Sequence, residues 1–405
     1  MRAMKDSGIP WIGMIPEGWT VCQYKRCVSI NNGKEYSDIV VEEGGYPVMG
    51  SGGEFARASK YLYDGEVILM GRKGTIDKPL YFCGRFWSVD TMFYCIPKEN
   101  TYPKYMYYQA CTFPFAMHSI STALPSMTQS DLGNNPVVLP SLIEQQRIAD
   151  FLDTKCAEID EMIALQEKTV EELKAYKQSV ITEAVTKGLN PDAPMKDSGI
   201  PWIGLIPQGW NRDKVVRSFD VIGSGTTPKS NDEKAYAGTI NWIQSGDING
   251  GILKTCAKQV SESTLLEYSA LKQYEPPFLI MAMYGASVGN ISISKINGCV
   301  NQACCVLGKC NENLAYMFYA LYASKEYLIR QAEGGTQPNI SQEKIKQLWL
   351  PLPPTSEQQA IASYLDNKCS EIDSLIVIKQ QKAEELKTYK KSLIYEYVTG
   401  KKEVV

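Results

Sequence analysis

The sequence predicts a mixed α/β fold in which two globular domains are separated by two long antiparallel helices, with a pseudo-twofold internal repeat. The first supporting observation is a short repeat, MKDSGIPWIGMIPEGW at residues 4–19 and MKDSGIPWIGLIPQGW at residues 195–210, identical at 14 of 16 positions. The second is a longer helical repeat, and the third is a pair of dissimilar regions between the repeats. A chain of 405 residues is long enough for two or three domains.

The longer repeat predicts the two helices. Residues 139–186 align without a gap on residues 352–399, with 26 of 48 positions identical. Some 45 helical residues would form a rod of about 65 Å, at a rise of about 1.5 Å per residue. Along each copy, four of five positions spaced seven residues apart are apolar, which is typical of paired helices. The predicted seam consists of Leu152, Ile159, Leu173 and Val180 in the first helix and Leu365, Ile372, Leu386 and Leu393 in the second.

Two arrangements of these helices are open. The favoured one pairs them antiparallel as a coiled coil, because a twofold-like duplication places equivalent elements in opposite directions. In the other, each amphipathic helix lies on its own domain. Gln166 and Lys379 occupy the same seam position in the two copies, where a polar side chain could fix the register or face solvent.

The remaining segments complete the predicted order of elements. The short repeat, rich in Pro, Gly and Trp, predicts an ordered apolar strap that docks on the same surface twice. Runs such as GEVILMG, FLIMAMY, ISISKI and CVNQACCVLG predict strands. NLAYMFYALYASKEYLIRQA predicts a helix, and KYMYYQACT predicts a shorter counterpart. The predicted segments are a first domain at 1–140 with strap 4–19, a helix at 141–188, a linker at 189–194, a second domain at 195–353 with strap 195–210, and a helix at 354–402.

Composition limits the function. No run approaches the roughly 18 apolar residues of a membrane helix, and no signal peptide is recognisable, so a cytoplasmic protein without a membrane partner is expected. Twelve cysteines without a C-x-x-C pair predict free thiols. The net charge of −3 argues against a general polyanion binder, although residues 211–350 carry 14 basic and 12 acidic side chains.

No motif predicts catalysis by this chain. YEPPFLI at residues 274–280 is similar to the loop of amino-methyltransferases, but Glu275 replaces the small polar residue and no Gly-rich cofactor loop precedes it. GSGTTPKS at 223–230 and GRKGT at 71–75 lack the phosphate-loop pattern. They could hold DNA phosphates or form ordinary turns. A single histidine, His118, excludes sites that need two histidines, and no bound metal or cofactor is expected.

The layout resembles the DNA-specificity subunit of type I restriction-modification enzymes, over essentially the whole chain. Each dissimilar region follows PWxGxIPxGW and precedes a helix that opens with EQQ and continues to an Ile-Asp pair. The most specific segments are Glu144-Gln145-Gln146 with Ile159-Asp160, Glu357-Gln358-Gln359 with Ile372-Asp373, Gly225-Thr226-Thr227-Pro228, and Asn301-Gln302. The first region lacks the Gly-Thr-Thr-Pro loop and has Asp90 where the second has Asn301, so recognition residues do not transfer between the halves.

The resemblance implies that both dissimilar regions are target-recognition domains reading a bipartite, asymmetric site in double-stranded DNA. It implies two methyltransferase subunits and restriction/translocase subunits as partners, with S-adenosylmethionine, ATP and Mg bound there and not by this chain. Side chains that can reach base edges or phosphates are the candidate DNA contacts. They are Lys34, Arg57, Lys60, Arg72, Lys73 and Lys78 in the first region and Thr226, Thr227, Lys229, Asn241, Gln244, Ser245, Tyr284 and Ser287 in the second.

Two other functions stay open on the residues alone. One is a self-contained DNA methyltransferase or nuclease, which would require a cofactor loop or an acidic metal cluster. The other is a non-DNA scaffold whose helices join two binding domains. The double duplication favours a reader of two half-sites, each spaced by the helices from the other.

Overall fold

The computed structural model describes residues 2–115, 125–229, 231–332 and 339–404. Its internal contacts divide the chain into two units. The first unit comprises Met1–Lys168 together with Lys379–Val405, and the second comprises Thr169–Ile378. Each unit therefore contains one dissimilar region, the beginning of one long helix and the end of the other.

The first unit is built on a seven-stranded mixed sheet. The strands of the whole unit are β1 (Met4–Asp6), β2 (Met14–Pro16), β3 (Thr20–Gln23), β4 (Val28–Asn32), β5 (Val40–Val41), β6 (Tyr46–Gly50), β7 (Gly53–Ala58), β8 (Tyr63–Gly71), β9 (Leu80–Ser88), β10 (Met92–Pro97) and β11 (Pro136–Leu139). Its helices are α1 (Tyr24–Cys27), α2 (Pro103–Ala110), α3 (Gln129–Asn134) and the first part of α4 (Leu142–Lys187). The sheet order is β4-β10-β8-β9-β6-β7-β5.

The second unit repeats this plan with a split sheet. Its strands are β12 (Met195–Asp197), β13 (Leu205–Pro207), β14 (Asn211–Lys214), β15 (Phe219–Gly223), β16 (Ile240–Ile243), β17 (Ile252–Leu253), β18 (Gln259–Val260), β19 (Phe278–Ala282), β20 (Ile291–Ser294), β21 (Cys299–Val300), β22 (Cys304–Cys310) and β23 (Trp349–Leu352). Its helices are α5 (Val215–Ser218), α6 (Glu262–Glu267), α7 (Leu314–Ala323), α8 (Lys325–Arg330), α9 (Gln342–Gln347) and the first part of α10 (Thr355–Val398). The sheet orders are β15-β22-β19-β20-β17 and β18-β16-β21.

The central strands are buried on both faces, which explains their unbroken apolar sequences. In β8, Ile68 and Met70 face the core that contains the long helices, whereas Val67 and Leu69 face a second core on the opposite side of the sheet. Alternate residues of β19 divide between two cores in the same way. One face of each sheet thus packs against the long helices, and loops connect the strands at its edges.

Within each unit the two long helices run antiparallel, as predicted. In the first unit Lys390 pairs with Asp160 at 2.6 Å and Lys387 pairs with Glu167 at 3.1 Å, so rising numbers on α4 meet falling numbers on α10. In the second unit Lys177 pairs with Asp373 at 2.7 Å. Apolar side chains of both helices also share each core. The alternative, in which each helix lies only on its own domain, is wrong.

The seam positions differ in burial along the helices. Leu152, Ile159, Leu365, Ile372 and Leu393 are buried. The structure leaves the other three half-buried, namely Leu173, Val180 and Leu386. Gln166 and Lys379 are half-buried as well.

Each strap is a small hairpin docked at the start of a long helix, which confirms the predicted repeated docking. β1 pairs with β2, and β12 pairs with β13. The indole N–H of Trp19 donates to Glu144 at 3.1 Å, and that of Trp210 donates to Glu357 at 2.7 Å. The Glu of each EQQ sequence therefore binds the tryptophan of its strap, so the short and long repeats contact each other in both units.

Two predicted elements are interrupted. CVNQACCVLG forms two strands, because the Asn301 side chain accepts a hydrogen bond from the Ala303 N–H at 3.1 Å and turns the chain between β21 and β22. The helix predicted over residues 313–332 breaks at the buried Ser324, whose hydroxyl donates to the Leu321 carbonyl at 2.8 Å. It therefore consists of α7 and α8.

Candidate nucleic-acid interface

In the second unit, polar segments meet at one edge of the parallel pair β16 and β21. The Asn301 N–H donates to the Ile243 carbonyl at 3.0 Å, so the residues that follow the two strands lie side by side. These residues are Gln244 and Ser245 after β16 and Gln302 after β21. Because parallel strands end at the same edge, their following loops form a single polar surface.

The loop over residues 224–229 lies across the same edge. A Cβ atom on Gly225 would approach the Val300 carbonyl oxygen to 1.7 Å, so only glycine allows the loop to pass this close to the strand. The Trp242 indole N–H donates to the Thr226 carbonyl at 3.2 Å. The hydroxyl of Thr227 donates to the Gln302 side-chain oxygen. The Gly-Thr-Thr-Pro sequence is therefore an anchored loop in which Thr227 is exposed and Thr226 is half-buried.

Tyr284 joins this surface from the end of β19. Its ring is half-buried, and this burial raises the pKa of its phenol, an effect that a hydrogen bond with Gln302 offsets only in part. Ser287 lies in the turn that follows, where its carbonyl accepts from the Asn290 N–H at 2.9 Å. Lys229 is exposed at the far end of the 224–229 loop.

Asn241 is used inside the fold. Its side-chain N–H donates to the Asn297 carbonyl at 2.9 Å, and its side-chain oxygen accepts from the Cys256 thiol at 3.5 Å. Both functional ends of its amide are occupied by neighbours and its side chain is half-buried, whereas the Gln302 side chain is exposed. Of the residues predicted in the second region, Asn241 has the weakest structural support as a base contact.

In the first unit, a basic groove of about 360 Å³ lies at the ends of β4 and β8. Arg72 and Lys73 are exposed on one side of it, and the Arg72 guanidinium stands 6.0 Å from the centre of the Phe93 ring. Asn32 and Gln129 supply amides to the same groove. Among the residues that the structure describes, neither Arg72 nor Lys73 has an acidic partner within salt-bridge distance. Their charge is therefore available to an anionic ligand.

The other basic candidates of the first region differ in their surroundings. Lys34, Lys60 and Lys78 are exposed. The Arg57 guanidinium instead donates to the Gly44 and Gly45 carbonyls and to Glu54 at 2.8 Å. Arg57 thereby stabilises a glycine turn, and a DNA contact would have to compete with these three bonds.

The strand register shows that the two surfaces are equivalent. Gly71 pairs with Met92 in the first unit as Ala282 pairs with Cys304 in the second. The Arg72 N–H donates to the Thr91 carbonyl at 2.8 Å, just as the Met283 N–H donates to the Ala303 carbonyl at 2.7 Å. The basic Arg72–Lys73 pair therefore occupies the place of Met283–Tyr284. Equivalent backbone positions therefore carry different side chains in the two units.

This register corrects one comparison made from sequence. The Val89 N–H donates to Met49 as the Asn301 N–H donates to Ile243. Asp90 therefore corresponds to Gln302, one residue beyond the Asn301 position that the sequence suggested. The same register pairs Gly33 with Gly225 and Lys34 with Thr226. Asn31 lies opposite Tyr94 and Gly223 lies opposite Val306, and Tyr94 and Val306 are equivalent residues of the two central strands.

Three residues at these surfaces were not among the sequence candidates. Gln302 belongs to the Asn301-Gln302 motif, and its exposed side chain contacts both Thr227 and Tyr284. Trp87 and Trp242 each bond a candidate loop. The proximity of Gln302 to a strand end was visible in the sequence, whereas the tryptophan contacts depend on strand pairing that no local pattern reveals.

The PPF sequence does not form an amine-binding loop. Phe278 is fully buried at the start of β19, within a core of apolar side chains, so its ring cannot stack on a base. Among the described residues, no group of three or more His, Cys, Asp or Glu side chains is placed to hold a metal ion. None of the helices in the described ranges combines the length and apolarity needed to cross a membrane. His118 lies outside the described residues.

Comparison with solved structures defines the class of the fold. The chain superposes with a TM-score of 0.71 on a chain from a structure described as the structural basis of complex assembly and conformational transition of the type I R-M system. The match covers 95% of this chain and 99% of that one, at 17% sequence identity. The predicted mixed α/β fold with two repeated domains and paired helices is therefore confirmed.

Sequence comparison defines the family. The MjaVIII specificity subunit of a type I restriction enzyme from Methanocaldococcus jannaschii is 23% identical, with 96% of this chain and 93% of that protein covered. The putative MjaX specificity subunit from the same organism is 26% identical over 68% of this chain, and the chain spans 61% of that relative's length. The model of the type I restriction modification DNA specificity domain matches residues 16–175 and 210–388. The chain belongs to this family, and its role is that of a specificity subunit and not of an enzyme.

Proposed function

We propose that this chain recognises a bipartite, asymmetric site in duplex DNA, and that each unit reads one half-site. The observation that carries the proposal is the pair of equivalent loop surfaces with different side chains. The first presents the cations of Arg72 and Lys73, and the second presents the neutral polar groups of Thr227, Tyr284 and Gln302. A duplicated frame with dissimilar contact residues is suited to two unlike DNA sequences.

The chemistry of the surfaces fits duplex DNA. Arginine and lysine can bind guanine O6 and N7 in the major groove, and glutamine can bind adenine N6 and N7. Hydroxyl groups and backbone N–H groups of the anchored loops can hold phosphates. We assign base or phosphate contacts to the candidates whose side chains are exposed or half-buried. These are Lys34, Lys60, Arg72, Lys73 and Lys78 in the first unit and Thr226, Thr227, Lys229, Gln244, Ser245, Tyr284 and Ser287 in the second, with Arg57 and Asn241 as secondary candidates.

Catalysis is assigned to partner chains. Adenine methylation with S-adenosylmethionine would belong to two methyltransferase subunits, and ATP-dependent, Mg-dependent cleavage to restriction/translocase subunits. Phosphate neutralisation supplies much of the affinity for DNA, and the net charge of this chain is −3. The isolated chain is therefore expected to bind DNA weakly, and the assembled complex more tightly.

Duplicated apolar residues on the helices support two equivalent partner sites. Met162 and Leu165 are 50% and 59% exposed on α4, and Leu375 and Ile378 are 46% and 56% exposed on α10. The 213-residue offset of the long repeat relates the first pair to the second. Apolar side chains three positions apart form a continuous patch on a helix, which suits contact with another helix. We infer that one methyltransferase subunit docks at each patch.

The proposal is tested by mapping methylated adenines across the genome of the source strain, with and without this gene. Loss of one split motif on deletion is expected, and its two parts would be the half-sites. A gene copy with Arg72→Ala should then relax or weaken the first half-site alone. Arg85→Ala is the matched control, because Arg85 is exposed but paired with Asp64 at 2.8 Å and away from the groove. An unchanged map on deletion would contradict the proposal and favour the non-DNA scaffold.

A further inference from the structure

In both units a tryptophan side chain holds the loop that follows the first strand of the sheet. The Trp87 indole N–H donates to the Lys34 carbonyl at 3.0 Å, and the Trp242 indole N–H donates to the Thr226 carbonyl at 3.2 Å. Lys34 and Thr226 occupy equivalent positions by strand register. The same backbone carbonyl is thus bonded by the same kind of donor in two otherwise dissimilar domains.

The two tryptophans come from different strands. Val48 lies opposite Trp87 in the parallel pair β6 and β9, and Trp242 lies opposite Cys299 in the parallel pair β16 and β21. The two residue pairs occupy equivalent positions in their sheets. In the first unit the tryptophan, Trp87, lies on β9, the later strand of its pair. In the second unit the tryptophan, Trp242, lies on β16, the earlier strand of its pair. The indole contact is therefore present in both units although the residue that makes it is not at the same place.

The loops are also held from a second direction. A Cβ atom on Gly33 would approach the Val89 carbonyl oxygen to 1.9 Å, as one on Gly225 would approach Val300. Glycine allows the close passage but contributes no side-chain contact of its own. In the first unit the Lys34 N–H also donates to the Ser88 carbonyl at 2.8 Å. The indole hydrogen bond to the carbonyl of the residue after each glycine restrains the loop further, and with it the positions from which the side chains of Lys34 and Thr226 begin.

We propose that Trp87 and Trp242 are positioning residues for DNA recognition, each holding the loop that presents contact side chains to its half-site. The inference rests on the proposed function. Recognition groups must be held to within about 0.5 Å to select one base over another. Without the indole donor, the loop keeps its contact side chains but presents them over a wider range of positions, so discrimination falls more than fold stability does.

The test replaces each tryptophan by phenylalanine in the full chain, in the source strain with its complete restriction-modification system. Trp242→Phe and Trp87→Phe retain an aromatic ring and remove the N–H donor. Trp202→Phe is the matched control, because its indole N–H donates to the Trp349 carbonyl at 3.1 Å, on the strap and away from the loops. Methylated adenines are mapped, and thermal unfolding of each purified chain is measured.

Trp242→Phe is expected to lower base discrimination in the second half-site about tenfold and to leave the first half-site unchanged, while Trp87→Phe does the reverse. Trp202→Phe should leave both half-sites unchanged. Retained discrimination at both half-sites in a folded Trp87→Phe chain would overturn the inference, as would equal loss at both. Trp242 is fully buried, so recovery of the Trp242→Phe chain in folded form can fail. In that case the map obtained with Trp87→Phe, at a half-buried position, tests the inference. A wild-type map without a split motif would instead contradict the proposed function itself.

Discussion

Gln145 and Gln358, the first glutamines of the two EQQ sequences, explain why this sequence occurs twice. Gln145 is 2% exposed, accepts from the Tyr102 N–H at 2.9 Å and donates to the Pro140 carbonyl at 3.0 Å. Gln358 accepts from the Asn313 N–H at 3.0 Å and donates to the Pro353 carbonyl at 3.0 Å. Each amide satisfies a buried backbone donor and acceptor where a shorter helix and a long helix begin.

Replacement of this amide should cost stability without touching the recognition surface. Gln145→Ala leaves the Tyr102 N–H and the Pro140 carbonyl without partners, and we expect a loss of about 2–4 kcal/mol in the free energy of unfolding. Urea unfolding of the purified chain measures it. The neighbouring Gln146→Ala is the control, because Gln146 is exposed and should change the free energy by less than about 0.5 kcal/mol. Equal effects of the two substitutions would show that the buried amide has no special role.

At the scale of elements, the sequence was most informative where a pattern is long. The seven-residue spacing predicted helices over 141–188 and 354–402, and the observed helices are Leu142–Lys187 and Thr355–Val398. It was least informative where one side chain decides the path. The break between β21 and β22 depends on a single turn made by Asn301. The tryptophan contacts join strands whose pairing is set by the whole sheet, so no local spacing could predict them.

The candidate surface shows the same limit. The exposed basic residues Arg72 and Lys73 were predicted from their type and from the flanking glycines, and the structure places them together in a groove. Asn241 is a candidate by residue type alone, and its amide hydrogen-bonds the Asn297 carbonyl and the Cys256 thiol. Residue type identifies what can contact DNA, but the neighbours that occupy a side chain are known only from the fold.

Burial along the helix pair predicts which seam positions carry stability. Leu365 is fully buried in the core of the second unit, so Leu365→Ala should lower the free energy of unfolding by about 2–5 kcal/mol through lost contacts and a cavity. Leu375→Ala, ten residues along the same helix and 46% exposed, should cost less than about 0.5 kcal/mol. Chemical unfolding of both variants makes the comparison. Similar losses for the two would mean that the helix pair is held by something other than this seam.

At the scale of the whole molecule, neither unit is made from one half of the sequence. The first unit takes Lys379–Val405 from the second repeat. Leu393, Ile394 and Val398 belong to its core, and the Val398 carbonyl accepts from the buried Tyr105 hydroxyl at 3.1 Å. The long repeat aligns Val185 with Val398, and in the second unit the Val185 carbonyl accepts from Tyr316 at 3.3 Å. The C-terminal ends of α4 and α10 therefore make equivalent contacts. The end of α10 makes them in the first unit, where α4 begins, and the end of α4 makes them in the second unit, where α10 begins.

This exchange predicts the behaviour of half a chain. A fragment of residues 1–193 lacks Leu393, Ile394 and Val398, but its own Val180, Ile181 and Val185 are the aligned residues. Two copies can supply each other's missing helix ends, so we expect a symmetric homodimer, because an exposed apolar seam is unfavourable in water. Sedimentation equilibrium measures its mass. A fragment of residues 1–168, which has no such helix end to donate, is the control and should not form this dimer. If the dimer also directs methylation with its partner subunits, the site should contain the first half-site twice, in inverted orientation. A stable, folded monomer of residues 1–193 would contradict the exchange.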